Sequence, residues 1–200
     1  MNEIINNEST EVRSKEVENY KDIKADENMT VKESKEYWDS EFSEDIRKDD
    51  NGEVYRVGDE LKPNTTYEVN GYKYETDEKG RIVSAEGELQ TKDHEGRLEM
   101  DSRNQVDKGD MKPTDDRGHL IADMFNGSGG IENVVPMEAK LNQGDYKALE
   151  CTLADAVKDG AKVYFKVEPI YQGNSTRPSE FKVTYSIDGD KTTRVFKNGE

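Results

Sequence analysis

Apolar residues along this chain recur with two different periods, and the change from one to the other divides it. Residues 1–30 are polar and lack a sustained period, so they read as disordered or weakly helical. Over residues 30–48, Trp38, Phe42 and Ile46 stand four apart with Asp, Glu and Lys between them. That spacing predicts an amphipathic helix opening near Thr30, broken at Asp49-Asp50-Asn51-Gly52. From residue 66 the period falls to two. Thr66-Tyr67-Glu68-Val69 and Tyr72-Lys73-Tyr74-Glu75 flank Asn70-Gly71, a hairpin pattern whose turn residues supply the positive φ angles of type I′. Gly80 precedes another strand over 81–86. Tyrosine alternating with charge here predicts half-buried sheet rather than a base-stacking surface.

Residues 101–118 show neither period and read as loop. Two short apolar runs follow, His119-Leu120-Ile121-Ala122 and Asn133-Val134-Val135-Pro136-Met137, separated by Asn126-Gly127-Ser128-Gly129-Gly130. Tyr146, Leu149, Leu153, Ala156 and Val157 then mark one face of a helix that Gly160 stops. Strands are predicted over 161–170, 180–187 and 192–196, with Asp188-Gly189-Asp190 as the last turn. The expected architecture is α+β, an antiparallel mixed β-sheet with one central helix, preceded by an acidic helical or disordered segment. The division expected is 1–52 for that segment and 53–200 for the folded domain.

Charge sharpens the division. Residues 1–100 hold 15 Lys and Arg against 28 Asp and Glu, and residues 101–200 hold 14 against 17, within a total net charge of −16. Such acidity opposes a nucleic-acid partner, because phosphate backbones repel a negative surface. Screening over roughly 8–10 Å at physiological salt leaves room for a local basic cleft. Cys151 is the only cysteine; it excludes an intramolecular disulfide and a Cys-rich metal site, and the helix pattern assigns it to buried packing. Residues 1–20 carry Glu3, Glu8, Glu11, Arg13 and Lys15 without an apolar run, so no cleavable secretory signal and no membrane span are expected.

Two histidines are present. His94 sits in the charged turn Lys92-Asp93-His94-Glu95-Gly96 and reads as a solvated loop residue. His119 follows Asp116-Arg117-Gly118 at the head of an apolar run, where a strand end can project it into a cleft. Taken alone, it fits a core or surface histidine more readily than a catalytic one.

It has company. Asp116-Arg117-Gly118-His119, Asn133 before Val-Val-Pro, Leu141-Asn142-Gln143-Gly144 and Glu150 together resemble the non-specific DNA/RNA endonuclease family, the nucleases with a ββα-metal (His-Me) finger. Nine residues separate Asn133 from Asn142, and eight separate Asn142 from Glu150. Arg103-Asn104-Gln105 ahead of His-Leu-Ile-Ala, and the Phe-Asn-Gly loop after it, are similar to the bacterial toxin branch that includes nuclease effectors of the type VII secretion route. The resemblance extends over residues 60–200 and is most specific between Arg103 and Glu150.

The resemblance implies a Mg²⁺-dependent hydrolase of DNA and RNA with His119 as general base. A neutral imidazole suits that task because its reference pKa of about 6.5 lies near working pH. One Mg²⁺, with Mn²⁺ able to substitute, would sit on the Asn142 carbonyl, waters and substrate phosphate. Glu150, two helical turns on, would hold metal-bound waters. Asn133 would orient His119 or the strand pair. Arg117, Arg103 and Lys147 are candidates for phosphate contact; Arg117 could equally form a local ion pair with Asp115 or Asp116. Asp116 shapes the turn or, less in keeping with its position, binds metal. Some relatives carry an arginine where this chain has Ala154, a role open to Lys147, Lys158 or Arg103.

The same resemblance implies a toxin exported by a specialised route, acting in the cytoplasm of a target cell, with a cognate immunity protein protecting the producer. Without export the location expected is cytoplasmic. The competing class is a non-catalytic acidic interaction protein that retains the nuclease fold, motivated by the charge of −16. Intact His119 and Asn142 separate the two.

Overall fold

Two tight turns with positive φ at both central residues set the register of the main sheet. In a computed structural model describing residues 46–92 and 110–199, Asn70 and Gly71 take φ of 55° and 76°, and Asp188 and Gly189 take 51° and 95°. Such angles match the twist of the strands they join. The first turn joins β4 (Thr66–Val69) to β5 (Tyr72–Thr76), and the second joins β10 (Pro178–Ile187) to β11 (Asp190–Lys197). With β6 (Ile82–Glu88) and β9 (Val163–Tyr171) they form a six-stranded sheet of order β11-β10-β9-β6-β5-β4. A small sheet of β1 (Ile46–Lys48), β2 (Val54–Val57) and β3 (Glu60–Leu61) precedes it. Every pairing among the described residues is antiparallel.

Because β6 and β9 are neighbours, everything between them in sequence is an excursion from the sheet. Leu89 N–H donates to Val163 O at 2.8 Å and closes its neck. The excursion contains β7 (Asp115–His119), β8 (Val134–Glu138), α1 (Ala139–Gln143) and α2 (Asp145–Lys158). Tyr146, Leu149 and Leu153 of α2 are buried, with Tyr146 edge-on to Phe181 and Phe196 at centroid distances of 6.1 and 5.7 Å. Fully burying a side chain of this kind contributes roughly 1.5–3 kcal/mol, so this face fixes the excursion on the sheet. No helix among the described residues is long and apolar enough to cross a membrane.

Three sequence expectations change. Ile46–Lys48 is a strand paired with β2, not the end of a helix, because Ile46 finds Val57 across the sheet; the rest of that expected helix, with Trp38 and Phe42, lies outside the described residues. The half-buried sheet expected around the tyrosines is present: burial alternates along β4 and β5, with Tyr67, Tyr72 and Tyr74 enclosed and the charged residues between them more exposed. The helix is broken at Gly144, where a Cβ would overlap the Lys140 carbonyl oxygen. Cys151 is exposed, since the buried face is set by Tyr146, Leu149 and Leu153.

Candidate active site

Residues 115–118 carry no apolar pattern, which is why they read as loop. They form β7 because the apolar strand β8 pairs with them, from Asp115↔Glu138 to His119↔Val134. Gly118 lets the two strands close, as a Cβ there would lie 2.6 Å from Met137 Cβ. At the start of β7, Arg177 forks onto Asp115, Nε to Oδ2 and Nη2 to Oδ1, both 2.7 Å. Burial alone would push the Asp115 carboxyl up; the Arg177 fork and the Lys112 N–H outweigh it and hold the group below its ordinary value. At the end of β8, Asn198 receives Glu138 N–H and donates to Pro136 O and Pro178 O. The ribbon is therefore tied to the main sheet from both sides.

This ribbon carries His119 to one end of an open cleft of about 510 Å³, whose walls include Arg117, Asn142, Lys147, Glu150 and Lys92. Gln143 and Asp123 complete the rim. The break at Gly144 leaves Asn142 on α1 and Glu150 on α2, and both still face the same space. Sequence reasoning missed Lys92, which pairs with Asp123 at 3.5 Å; nothing in its local pattern set it apart. Arg103 and His94 lie outside the described residues. Lys158, at the far end of α2, does not line the cleft, whereas Lys147 does.

Hydrogen bonds behind the wall explain its geometry. Asp116 Oδ2 accepts from Asn142 Nδ2 at 2.9 Å and from Gln143 Nε2 at 2.8 Å. A carboxylate accepts only from the amide nitrogen, so this contact fixes which end of Asn142 is left to act as a donor-free oxygen ligand. The Asp115 carboxylate is engaged by Arg177 instead of Arg117. Asn133, fully buried, accepts from Ile121 N at 2.8 Å and donates to Ile121 O and Ser128 O, both at 2.7 Å. Its bonds thus fall on the backbone two residues beyond His119. Tyrosine hydroxyls hold the same segment: Tyr146 donates to Leu120 O at 3.0 Å and Tyr72 to Phe125 O at 2.5 Å.

Glu150 is the electrostatic anomaly. Burial pushes its carboxyl from an ordinary 4.5 up to about 7, with the Lys147 ammonium at 3.6 Å pulling the other way. A half-enclosed carboxyl and an oriented amide oxygen lining one cleft are oxygen donors of the kind a hard divalent cation accepts. Among the described residues no group of three or more His, Cys, Asp or Glu could hold a metal. Any cation here would draw most of its ligands from water and substrate.

A sequence model of DNA/RNA non-specific endonucleases matches residues 63–189. The type VII secretion system protein EssD of Staphylococcus aureus is 38% identical over 146 residues, 69% of this chain and 24% of that protein. The probable deoxyribonuclease RhsA of Dickeya dadantii is 31% identical over 86 residues, 42% of this chain and 6% of that protein. This chain thus spans about a quarter, or less, of the length of these curated relatives. Among solved structures, the Sda1 nuclease with bound zinc ion superposes with a TM-score of 0.50 at 22% identity, covering 63% of this chain and 76% of that one. That likeness is one of fold, mostly antiparallel sheet with helix packed on it. The family match takes in the ribbon, both helices and every cleft residue named above, and on its extent the chain belongs to the DNA/RNA non-specific endonuclease family.

Proposed function

We propose that this chain is a divalent-metal-dependent endonuclease that hydrolyses DNA and RNA with little sequence preference. One observation carries the reading: a single cleft brings an imidazole, an oriented amide, a buried carboxyl and three cationic side chains together. His119 takes the proton of the attacking water. Arg117, Lys147 and Lys92 face the charge that grows on the phosphate, where fixed cations are most effective because they need no reorganisation. Arg103 is a further candidate for phosphate contact. Asn142 Oδ1, kept outward by Asp116, and Glu150 through water are the residues that would hold the cation, Mg²⁺ or Mn²⁺. When bound, that cation supplies positive charge to the phosphoryl oxygens. Asn133 and Asp116 position the groups that touch substrate. The leaving oxygen takes its proton from water in the cleft, giving 5′-phosphate products.

The net charge of −16 does not oppose this reading, because the cleft sets three cationic side chains against two carboxyls and distant surface charge is screened. Residues 53–200 are proposed as the nuclease domain and 1–52 as an acidic linker whose residues Ile46–Lys48 pair with β2. The relation to EssD supports export by a specialised route, a toxic role in a target cell, and a cognate immunity protein. The test is incubation of plasmid DNA and of an unstructured RNA with the protein in Mg²⁺ and in EDTA. Degradation of both in Mg²⁺ and of neither in EDTA is expected. Intact substrate in both buffers would leave the chain a non-catalytic binder that keeps the fold.

A further inference from the structure

Arg56 lies on β2, upstream of the residues that the family match covers, yet it is 5% exposed. Glu132, 4% exposed, stands immediately before Asn133. Arg56 Nη1 is 3.7 Å from Glu132 Oε2, an oxygen with no hydrogen-bond partner. The other carboxylate oxygen accepts from Ser128 Oγ, and that hydroxyl in turn accepts from Gly130 N at 3.0 Å. A Cβ on Gly130 would overlap both carboxylate oxygens, so the glycine loop is folded directly around this charge. Tyr67 fixes the Glu132 carbonyl from the sheet at 3.1 Å.

A buried ion pair with one oxygen unsatisfied is weak as a stabilising device; well-packed apolar replacements are often as stable or more so. Its connections point elsewhere. The loop shaped by Glu132 presents Ser128 O to Asn133 Nδ2, and Asn133 clamps Ile121, two residues beyond His119. We infer that the Arg56–Glu132 pair is a positioning device for His119, by which the small N-terminal sheet sets the geometry of the catalytic strand end. Arg56 holds the carboxylate, the carboxylate shapes the loop, and the loop completes the clamp. This rests on His119 being the general base proposed above. Arg56 and Glu132 are positioning residues and touch no reacting atom.

The test uses Arg56→Met, Arg56→Lys and Glu132→Gln in the full chain, with His119→Ala alongside. Steady-state nuclease kinetics are measured well below each melting temperature, and the His119 imidazole resonances are followed by NMR. Arg56→Met and Glu132→Gln are expected to lower kcat by about tenfold or more with KM within about twofold, as misplacing a catalytic group does. They should also shift the His119 resonances, and Arg56→Lys should restore most of the turnover. Should Arg56→Met not fold, Glu132→Gln against wild type gives the same comparison. Turnover within about twofold of wild type, or a lowered melting temperature with unmoved His119 resonances, overturns the inference. An inert His119→Ala beside a fully active Arg56→Met defeats this inference alone. A fully active His119→Ala removes the base itself.

Discussion

Replacing Glu150 by Gln should make the cation-free protein more stable at alkaline pH while weakening it as an enzyme. Burial lifts the Glu150 carboxyl from 4.5 to about 7, so the folded state holds this proton longer than the unfolded chain does. Below about pH 4.5 the carboxyl is protonated in both states and costs nothing extra. As pH rises from there through 7, the unfolded state is progressively favoured, and the loss is complete near pH 8. At 1.36 kcal/mol per unit the shift amounts to about 3 kcal/mol, as an upper figure. Glutamine keeps the shape and never ionises. In EDTA, Glu150→Gln should therefore melt with wild type at pH 4.5–5 and above it at pH 8. At roughly 2–4 °C per kcal/mol for a domain of this size, the gap should be about 6–12 °C at most. Melting curves by circular dichroism from pH 5 to 8 provide the assay. Mg²⁺ should narrow the gap by stabilising wild type more than the variant. A Glu150→Gln protein that melts at or below wild type at pH 8, or a gap that ignores pH, would refute the reasoning.

Removing Asp116 should act on the metal rather than on the fold. Asp116→Ala frees the amide of Asn142, so the Mg²⁺ concentration for half-maximal cleavage should rise about 10–100-fold, with melting little changed; an unaltered Mg²⁺ titration would contradict that role. Arg177→Met strips the partner from the buried Asp115 carboxylate and should cost about 3–5 kcal/mol in urea unfolding. Because Asp115 lies below its ordinary value, the wild-type contribution is present at neutral pH and is lost as pH falls through the folded value. The gap between variant and wild type should therefore narrow in acid, leaving only the loss of the Arg177 bond to Asn198 O; a gap independent of pH would deny the pairing. Gly127→Ala places a Cβ over the Ile121 carbonyl oxygen and should lower turnover more than Gly129→Ala; equal rates would show that the loop does not bear on His119.

Much of this fold was legible because its rules are local. The Asn70-Gly71 and Asp188-Gly189 turns, the alternation around them and the apolar face of α2 announced themselves. Strand β7 did not, since Asp-Asp-Arg-Gly-His has no strand pattern and is held by β8 and by an arginine 62 positions away. The break at Gly144 was hidden because the helix before it is five residues long, too short to show a period of its own. The family resemblance carried by His119, Asn142 and Glu150 implied one site, and the structure brings them to one cleft. Lys92 and the pair of Arg56 with Glu132 were invisible, because a long cation or a buried charge acquires its meaning from the surface it is folded against. The actions of Asp116 on Asn142, and of Asn133 on Ile121, likewise needed hydrogen-bond partners that no spacing supplies.

The central claim is that an imidazole at the end of β7 takes the proton from water in a metal-dependent cleavage of nucleic acid. It is tested most directly by single-turnover cleavage of one radiolabelled DNA strand by His119→Ala and wild type at saturating Mg²⁺, with folding of both checked by melting. The account predicts a melting temperature close to wild type and a cleavage rate lower by about 10²–10⁴-fold. A folded His119→Ala protein that cuts at the wild-type rate would contradict it.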